Sequence, residues 1–414
     1  MIVSCLAAVA CAPGFVSFAT TQKKRLRTNP THSGEDEGEP GVLSIASRVQ
    51  QVQSAVREAD PRQRRLVEVT KITEESPGVL SVYLSSVDDT ELPSFRPGQH
   101  LIVECPLTGS AMTSRCYSLS NGPKQKPWRI TVRRNERGSD TESVSRWIHR
   151  ELRVGDRLRV RGPRGSFTLD KAVDTKPVVF IAAGVGITPM ASMLYDELSY
   201  PRARAKWLFY QVRTWGTAPL LHELVAAIER SQVCNAWIAA SQDVTPQESP
   251  LKRVRLVSGK LDPSMIVETI GTTDACIFLC GPDVWMQQMR QRFVASGVPD
   301  GQIHDEAFGG TEAPVSDSNS PSPAVTVDET VFDVTFEATG KSATYSNKNG
   351  NLLSLAKQHS VVIPASCRTG QCGTCAVKLL RGSVKYVRPP SAEVMEDEIL
   401  PCICIPTSDI SVQV

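Results

Sequence analysis

The sequence carries no excess of charge of either sign. Its 46 lysines and arginines face 44 aspartates and glutamates, a formal net charge of +2. That balance excludes the basic footprint of a nucleic-acid binder and gives no hint of an acidic-ligand trap. Beyond residues 1–22 there is no apolar run long enough to span a bilayer. There are no internal repeats. The six histidines, His32, His100, His149, His222, His304 and His359, show no metal-ligand spacing. No His/Asp/Ser constellation suggests nucleophilic catalysis. C-x-H pairs, haem-attachment motifs and E-x-x-H motifs are also missing.

What is present is length and cysteine. At roughly 100–200 residues per domain, 414 residues predict two to four domains. A hydrophobic share of 41% is enough to fill sizeable cores. Twelve cysteines would suggest disulfides in a small secreted chain, but this chain is large. Eight are scattered, and four form a pattern: Cys367, Cys372, Cys375 and Cys402. In a reducing compartment, cytoplasm or organellar matrix, such a group reads as metal-binding.

Residues 1–22 are uncharged and are followed by Lys23, Lys24, Arg25 and Arg27. A secretory signal places its basic residues first, so three readings stay open: an organellar presequence, a membrane anchor, or an uncertain start site. Any membrane association would run through these residues alone. Residues 1–41 read as a disordered or targeting segment, and residues 42–64 as a helical extension. From Leu66, short β-rich runs predict a small antiparallel barrel over residues 65–173. From Pro177, strands alternate with helices at about Pro189–Leu198, Leu220–Arg230 and Val284–Ser296. This predicts an α/β doubly wound domain over residues 174–310. Residues 311–326 are a Pro/Ser linker, and a third module spans 327–414.

The strongest motif is Cys367-x4-Cys372-x2-Cys375 with Cys402 downstream. It has the plant-type [2Fe–2S] spacing, and soft thiolates suit iron. Gly370 and Gly373 let the loop curl so that backbone N–H groups face the sulfurs. The alternatives are a zinc site or disulfides. Three ligands in one loop fit the paired zinc knuckles poorly. Cys404 reads as a packed free thiol. The segment PASCRTGQCGTCAVKLL, with LPCICIP later, resembles plant-type ferredoxins, and this implies a β-grasp fold for the last module.

Arg115-Cys116-Tyr117-Ser118 resembles the R-x-Y-S flavin motif of the ferredoxin-NADP reductase superfamily, and Phe95-Arg96-Pro97-Gly98-Gln99 resembles its F-x-P-G-Q turn. The resemblance implies that Tyr117 lies against the isoalloxazine, Ser118 bonds near N5, and Arg115 neutralises a phosphate. The stretch from Ser143 through Val144 and Ser145 to His149, with Gly138 upstream, resembles the segment that holds the flavin pyrophosphate at a helix N-terminus. A plain N-cap is the other reading. Arg161-Gly162-Pro163-Arg164-Gly165-Ser166-Phe167 resembles the closing turn of FAD-type members. Gly165 replaces an Asn typical of the FMN branch, so FAD is favoured over FMN.

Gly184-Val185-Gly186-Ile187-Thr188-Pro189 follows the strand VVFIA and resembles the family's nicotinamide-nucleotide turn, as Cys280-Gly281-Pro282 resembles its C-G-P. The likeness places Gly184 and Gly186 at the pyrophosphate. Thr188, Cys280, Gly281 and Pro282 fall beside the nicotinamide. Glu306-Ala307-Phe308-Gly309 resembles the E-x-F-G end of the reductase, with Glu306 near N5 and Phe308 over the ring. The bland reading is a strand end entering the linker. Arg213 would meet a 2′-phosphate or pack on adenine. It has no basic neighbours in the motif, which favours NADH over NADPH.

Together the modules resemble hybrid-cluster-protein reductases and the reductase components of Rieske oxygenases and desaturases. The expected catalytic residues are Tyr117, Ser118 and Glu306. The expected activity is NAD(P)H oxidation with electrons passing through FAD and [2Fe–2S] to an external protein: an oxygenase, a desaturase or a hybrid-cluster protein. A redox-sensing or carrier protein without turnover is the alternative. Residues 325–414 hold eight basic and nine acidic residues, net −1. Stand-alone plant-type ferredoxins are far more acidic. A tethered module needs less steering, because the tether supplies effective concentration.

Overall fold

The computed structural model describes residues 64–88, 90–106, 112–135, 143–169, 175–200, 204–244, 250–308, 331–365, 367–390, 392 and 394–414. The expectations for residues 1–41, for the helix over 42–63, for the linker 311–326, and for Gly138 and Gly309 lie outside the described residues, while Arg64, the last residue of the expected helical extension, is instead the first of a strand, where it pairs with Arg161. No helix of the described residues is long and apolar enough to cross a membrane.

Six strands form the first sheet: β1 (Arg64–Ser76), β2 (Val79–Ser86), β3 (His100–Pro106), β4 (Met112–Ser118), β5 (Trp128–Arg133) and β6 (Arg157–Arg164). Their order is β4-β3-β6-β1-β2-β5, and every pairing is antiparallel. The outer strands meet through a bridge between Leu119 and Ile130, which curls the sheet into a barrel. Alternate residues point inward, so Val67, Val69, Val82, Leu84, Leu101 and Val103 share one core. Helix α1 (Val144–Arg150) caps it with Val144 and Ile148.

The second sheet is parallel: β7 (Val178–Ala183), β8 (Lys206–Val212), β9 (Cys234–Ala240), β10 (Val254–Ser258), β11 (Cys276–Gly281) and β12 (Ile303–Ala307), in the order β10-β9-β8-β7-β11-β12. Its central strands read as continuous apolar runs because both faces are covered. Helices α2 (Ile187–Ser199) and α3 (Leu221–Arg230) contribute to the core on one face. Helices α4 (Pro263–Ile270) and α5 (Asp283–Ala295) contribute to the core on the other. The strand order reverses between β7 and β11, so the crevice at their carboxyl ends is the natural ligand position. Strand β10 and helix α4 were not anticipated. In LKRVRLVSGK the charges sit on an edge strand, where Arg255 can stay exposed, and they mask the strand pattern.

The third unit contains β13 (Phe332–Phe336), β14 (Lys341–Tyr345), α6 (Leu352–Gln358), β15 (Val377–Arg381), β16 (Val384–Tyr386), β17 (Glu398–Ile399), β18 (Cys404–Pro406) and β19 (Ile410–Val412). Its five-stranded sheet runs β14-β13-β19-β15-β17 and packs against α6 through Leu352, Leu355 and Ala356. Cys404 is fully buried in this core, as expected of a packed thiol.

Candidate redox site

The site begins at a tight turn. Pro97 and Gly98 are its central residues, Gly98 has φ +95°, and Gln99 N–H donates to Arg96 O at 3.1 Å. That is a type II turn, which needs φ > 0 at its third position. A Cβ on Gly98 would also come within 2.2 Å of the Phe167 carbonyl oxygen. The turn launches β3 so that His100 stands directly across from Ser118, and Leu101 from Tyr117. Glu306 arrives from β12, with its Oε1 3.9 Å from His100 Nδ1.

His100, Ser118 and Glu306 are buried, and His100 Nε2, Ser118 Oγ and Glu306 Oε2 have no hydrogen-bond partner. Each orphaned polar atom costs about 1–3 kcal/mol. Three of them, next to half-buried Tyr117, suit a ligand with a polar edge and an aromatic face. Burial pushes the Glu306 carboxyl up to about 7; His100 opposes the rise and Cys367 adds to it. Burial also holds His100 below its ordinary value, and it raises the Tyr117 hydroxyl. Cys280 faces Glu306 across the β11–β12 ladder and is fully buried, which keeps its thiol protonated.

The Glu306 shift gives a stability test. An unfolded glutamate titrates near 4.5, the folded one near 7. Between these values the unfolded chain has already released a proton that the fold retains, so stability falls as pH rises and stays lower above the window. Glu306→Gln should therefore gain Tm on the wild type between about pH 5 and about pH 8. An equal Tm difference at both ends would mean that the carboxyl is ionised throughout.

At the crevice, Gly184 takes φ +56° and its carbonyl accepts from the buried Tyr210 hydroxyl at 3.1 Å. Gly186 lies against β11, where a Cβ would come within 2.2 Å of the Cys280 carbonyl oxygen. Thr188 is buried and donates to the Val185 carbonyl at 3.1 Å, which shapes the turn. Gly281 packs under Trp285, and exposed Pro282 is the N-cap of α5. Arg213 is exposed just past β8, and Phe308 is 37% exposed just past β12. Arg115 is exposed on β4. Ser143 is the N-cap of α1, accepting from Arg146 N–H at 3.3 Å, while Ser145 Oγ accepts from Asn135 N–H at 3.1 Å.

The four patterned cysteines are buried together, between 3% and 7% exposed. Cys367 Sγ accepts from the backbone N–H of Thr369 at 3.5 Å and of Cys372 at 3.2 Å. Cys372 Sγ accepts from Cys367 at 3.5 Å and from Thr374 at 3.4 Å. Cys375 and Cys402 place their sulfurs 3.2 Å apart. Gly370 and Gly373 hold φ of +79° and +63°, which turns these N–H groups inward. Among the described residues, no three His, Cys, Asp or Glu side chains converge on a single-ion position. Backbone N–H donors aimed at sulfur, as at Cys367 and Cys372, are what iron–sulfur clusters use.

The cysteine loop does not stand apart from the other modules. Thr374 Oγ1 lies 3.0 Å from Cys372 Sγ and 3.4 Å from Cys116 Sγ, inside the R-x-Y-S segment. A Cβ on Gly373 would come within 2.4 Å of Arg164 Nη2. In the sequence His100 and Arg164 stand inside motifs without a role of their own, and Tyr210 and Thr374 carry no motif signal. His100 directly follows the F-x-P-G-Q turn, which was the available signal. The others act only through tertiary contacts.

Residues 66–169 match the family of oxidoreductase FAD-binding domains, and residues 336–407 the family of 2Fe-2S iron-sulfur cluster binding domains. The ferredoxin reductase component of a 3-ketosteroid-9-alpha-monooxygenase from Mycobacterium tuberculosis is 30% identical over 365 residues, 83% of this chain and 93% of that protein. A flavohemoprotein from Halalkalibacterium halodurans is 31% identical over 251 residues. That match covers 60% of each protein, so the chain spans about three fifths of the flavohemoprotein's length. Among solved structures, phthalate dioxygenase reductase shares the fold with a TM-score of 0.52. It is 23% identical, covering 85% of this chain and 98% of that one.

Proposed function

The chain belongs to the ferredoxin reductase components that join FAD-binding and nucleotide domains to a C-terminal [2Fe–2S] domain, and on that premise we propose that it passes electrons from NAD(P)H to an external oxygenase. The carrying observation is the junction itself: the cluster cysteines lie against the R-x-Y-S strand, linked through Thr374 to Cys116. One NAD(P)H and two oxidised one-electron acceptors yield NAD(P)+, two reduced acceptors and one proton. When bound, FAD accepts the hydride and the cluster carries electrons singly.

The chain's own residues bind and orient. Tyr117 provides the aromatic face for the isoalloxazine. Ser118, Glu306 and His100 satisfy its polar edge with their orphaned atoms. Arg115 and the Val144–Ser145 start of α1 serve the flavin phosphates. Gly184 and Gly186 admit the nicotinamide nucleotide's pyrophosphate to the crevice. Thr188, Cys280, Gly281 and Pro282 line the nicotinamide end, and Phe308 covers it. Arg213 sits at the adenosine end. Cys367, Cys372, Cys375 and Cys402 hold the cluster. Nothing here demands an acid, base or nucleophile acting on carbon. The substrate chemistry belongs to the acceptor, for which the monooxygenase-linked relative supports the oxygenase class.

An anaerobic titration of the full chain with NADH and, separately, NADPH tests this. Extraction should release FAD, and the reduced nucleotide should bleach both flavin and iron–sulfur absorbance. A chain that loads both groups but stays unbleached would be a carrier or sensor, not a reductase.

A further inference from the structure

Gln371 lies inside the Cys367–Cys372 loop, yet its side chain reaches out of that domain. Its Oε1 accepts from Ala307 N–H at 3.1 Å, and its Nε2 donates to the Asp305 carbonyl at 3.3 Å. The Thr369 hydroxyl donates to the same Oε1 at 3.3 Å and fixes which way the amide points. A carboxamide offers donor and acceptor side by side. It therefore pairs with a strand edge much as another strand would. The edge is available because β12 is the outermost strand of its sheet. Residues 305 and 307 flank Glu306, so the amide grips the backbone on both sides of that carboxyl.

We propose that Gln371 is the positioning residue that seats the cluster loop on the β12 edge, holding the ferredoxin domain where it receives electrons from the flavin domain. This rests on the reductase reading above. Electron transfer weakens steeply as a gap opens, so a seat that fixes the loop sets the internal handover. Two further contacts of the loop with the barrel offer weaker anchors. Cys116 and Thr374 meet at 3.4 Å through a poor sulfur partner, and Gly373 packs beneath Arg164 without a bond. Gln371 supplies two hydrogen bonds from the loop to the backbone of the β12 edge. The chain thus carries its docking key between two of its own cluster ligands, where any shift of the seat moves the metal site with it.

The test compares Gln371→Ala and Gln371→Met with the wild-type full chain. The Met variant keeps the side-chain bulk and removes both hydrogen bonds. Hydrogen exchange of a peptide covering residues 303–308 should rise by about tenfold in both variants, since the Ala307 amide loses its acceptor. In stopped-flow mixing with NADH, flavin bleaching should keep its wild-type rate while cluster bleaching slows by about tenfold. Should Gln371→Ala load less cluster, the bulk-matched Met variant decides. Wild-type exchange in both variants, or cluster bleaching that keeps pace with flavin bleaching, overturns the proposal. If neither NADH nor NADPH bleaches the wild-type flavin, the reductase reading fails instead, and hydrogen exchange still decides the seat.

Discussion

Exchange of Cys372 for serine should lower cytochrome c reduction at least about a hundredfold, while NAD(P)H-driven ferricyanide reduction stays within about a factor of two. Cys372 is the sulfur best placed to show this. It accepts from two backbone N–H groups and touches Thr374, the residue that meets Cys116. A serine oxygen is a harder donor and stops short of the metal position, so the soft-ligand match is lost. Loss of even an outer partner of a metal ligand costs about 10–100-fold, and loss of the ligand itself costs more. Ferricyanide is small and takes electrons from the flavin without help from the cluster. Cytochrome c needs the cluster as the exit.

The split between the two acceptors carries the argument. The proposed flavin site draws on β3, β4 and β12, and none of these belongs to the cysteine-bearing domain. A serine at 372 therefore removes none of the side chains assigned to the flavin, His100, Ser118 and Glu306. Undiminished cytochrome c reduction would show that electrons leave by another route. An equal fall in both reductions would make the cysteine loop part of the flavin seat. Visible absorbance of the purified variant checks that the cluster, not the flavin, has gone.

The cysteine pattern is legible because chelation is local: three proposed ligands within nine residues share one loop whatever surrounds it. The R-x-Y-S strand and the Gly184-x-Gly186 turn were legible for a similar reason, since each is a short backbone shape with its own residue demands. The central strands VVFIAA and CIFLCG announced a parallel sheet because both of their faces are buried. What stayed hidden was assembly. Gln371 meets Ala307 across 64 residues of chain, and Cys116 meets Thr374 across 258. No periodicity encodes such pairs. His100 read as one more strand residue, because its burial beside Glu306 exists only after two domains have packed. Ser143 shows the reverse case: its N-cap bond is local and was foreseen as the plain reading of that stretch.

The two glycines of the nucleotide turn should separate sharply when each is changed to alanine. Gly184 holds φ +56°, so Gly184→Ala meets backbone strain of about 1–2 kcal/mol, but the space is open. The nearest atom to a new Cβ there is Arg133 Nη1 at 3.8 Å, the tip of a flexible side chain. Gly186 is the opposite case. Its φ of −59° suits any residue, yet a Cβ would meet the Cys280 carbonyl oxygen at 2.2 Å, its carbon at 2.6 Å and Gly281 N at 2.9 Å. All three are backbone atoms of β11, and β11 is tied to β7 by the pairing of Cys280 with Ala182. Relief requires moving one central strand from the other at the point where the strand order reverses. Overpacking against backbone costs roughly 3 kcal/mol or more. The displacement opens the crevice proposed to hold the dinucleotide, and misplacement of about 1 Å lowers turnover by about a hundredfold. Gly186→Ala should therefore lower both Tm and the kcat/KM for NADH-dependent ferricyanide reduction, while the barrel keeps its flavin. Gly184→Ala should lose only a few degrees. Equal behaviour of the two variants would place the tight contact away from the nucleotide turn, and the crevice between β7 and β11 would no longer account for NAD(P)H binding.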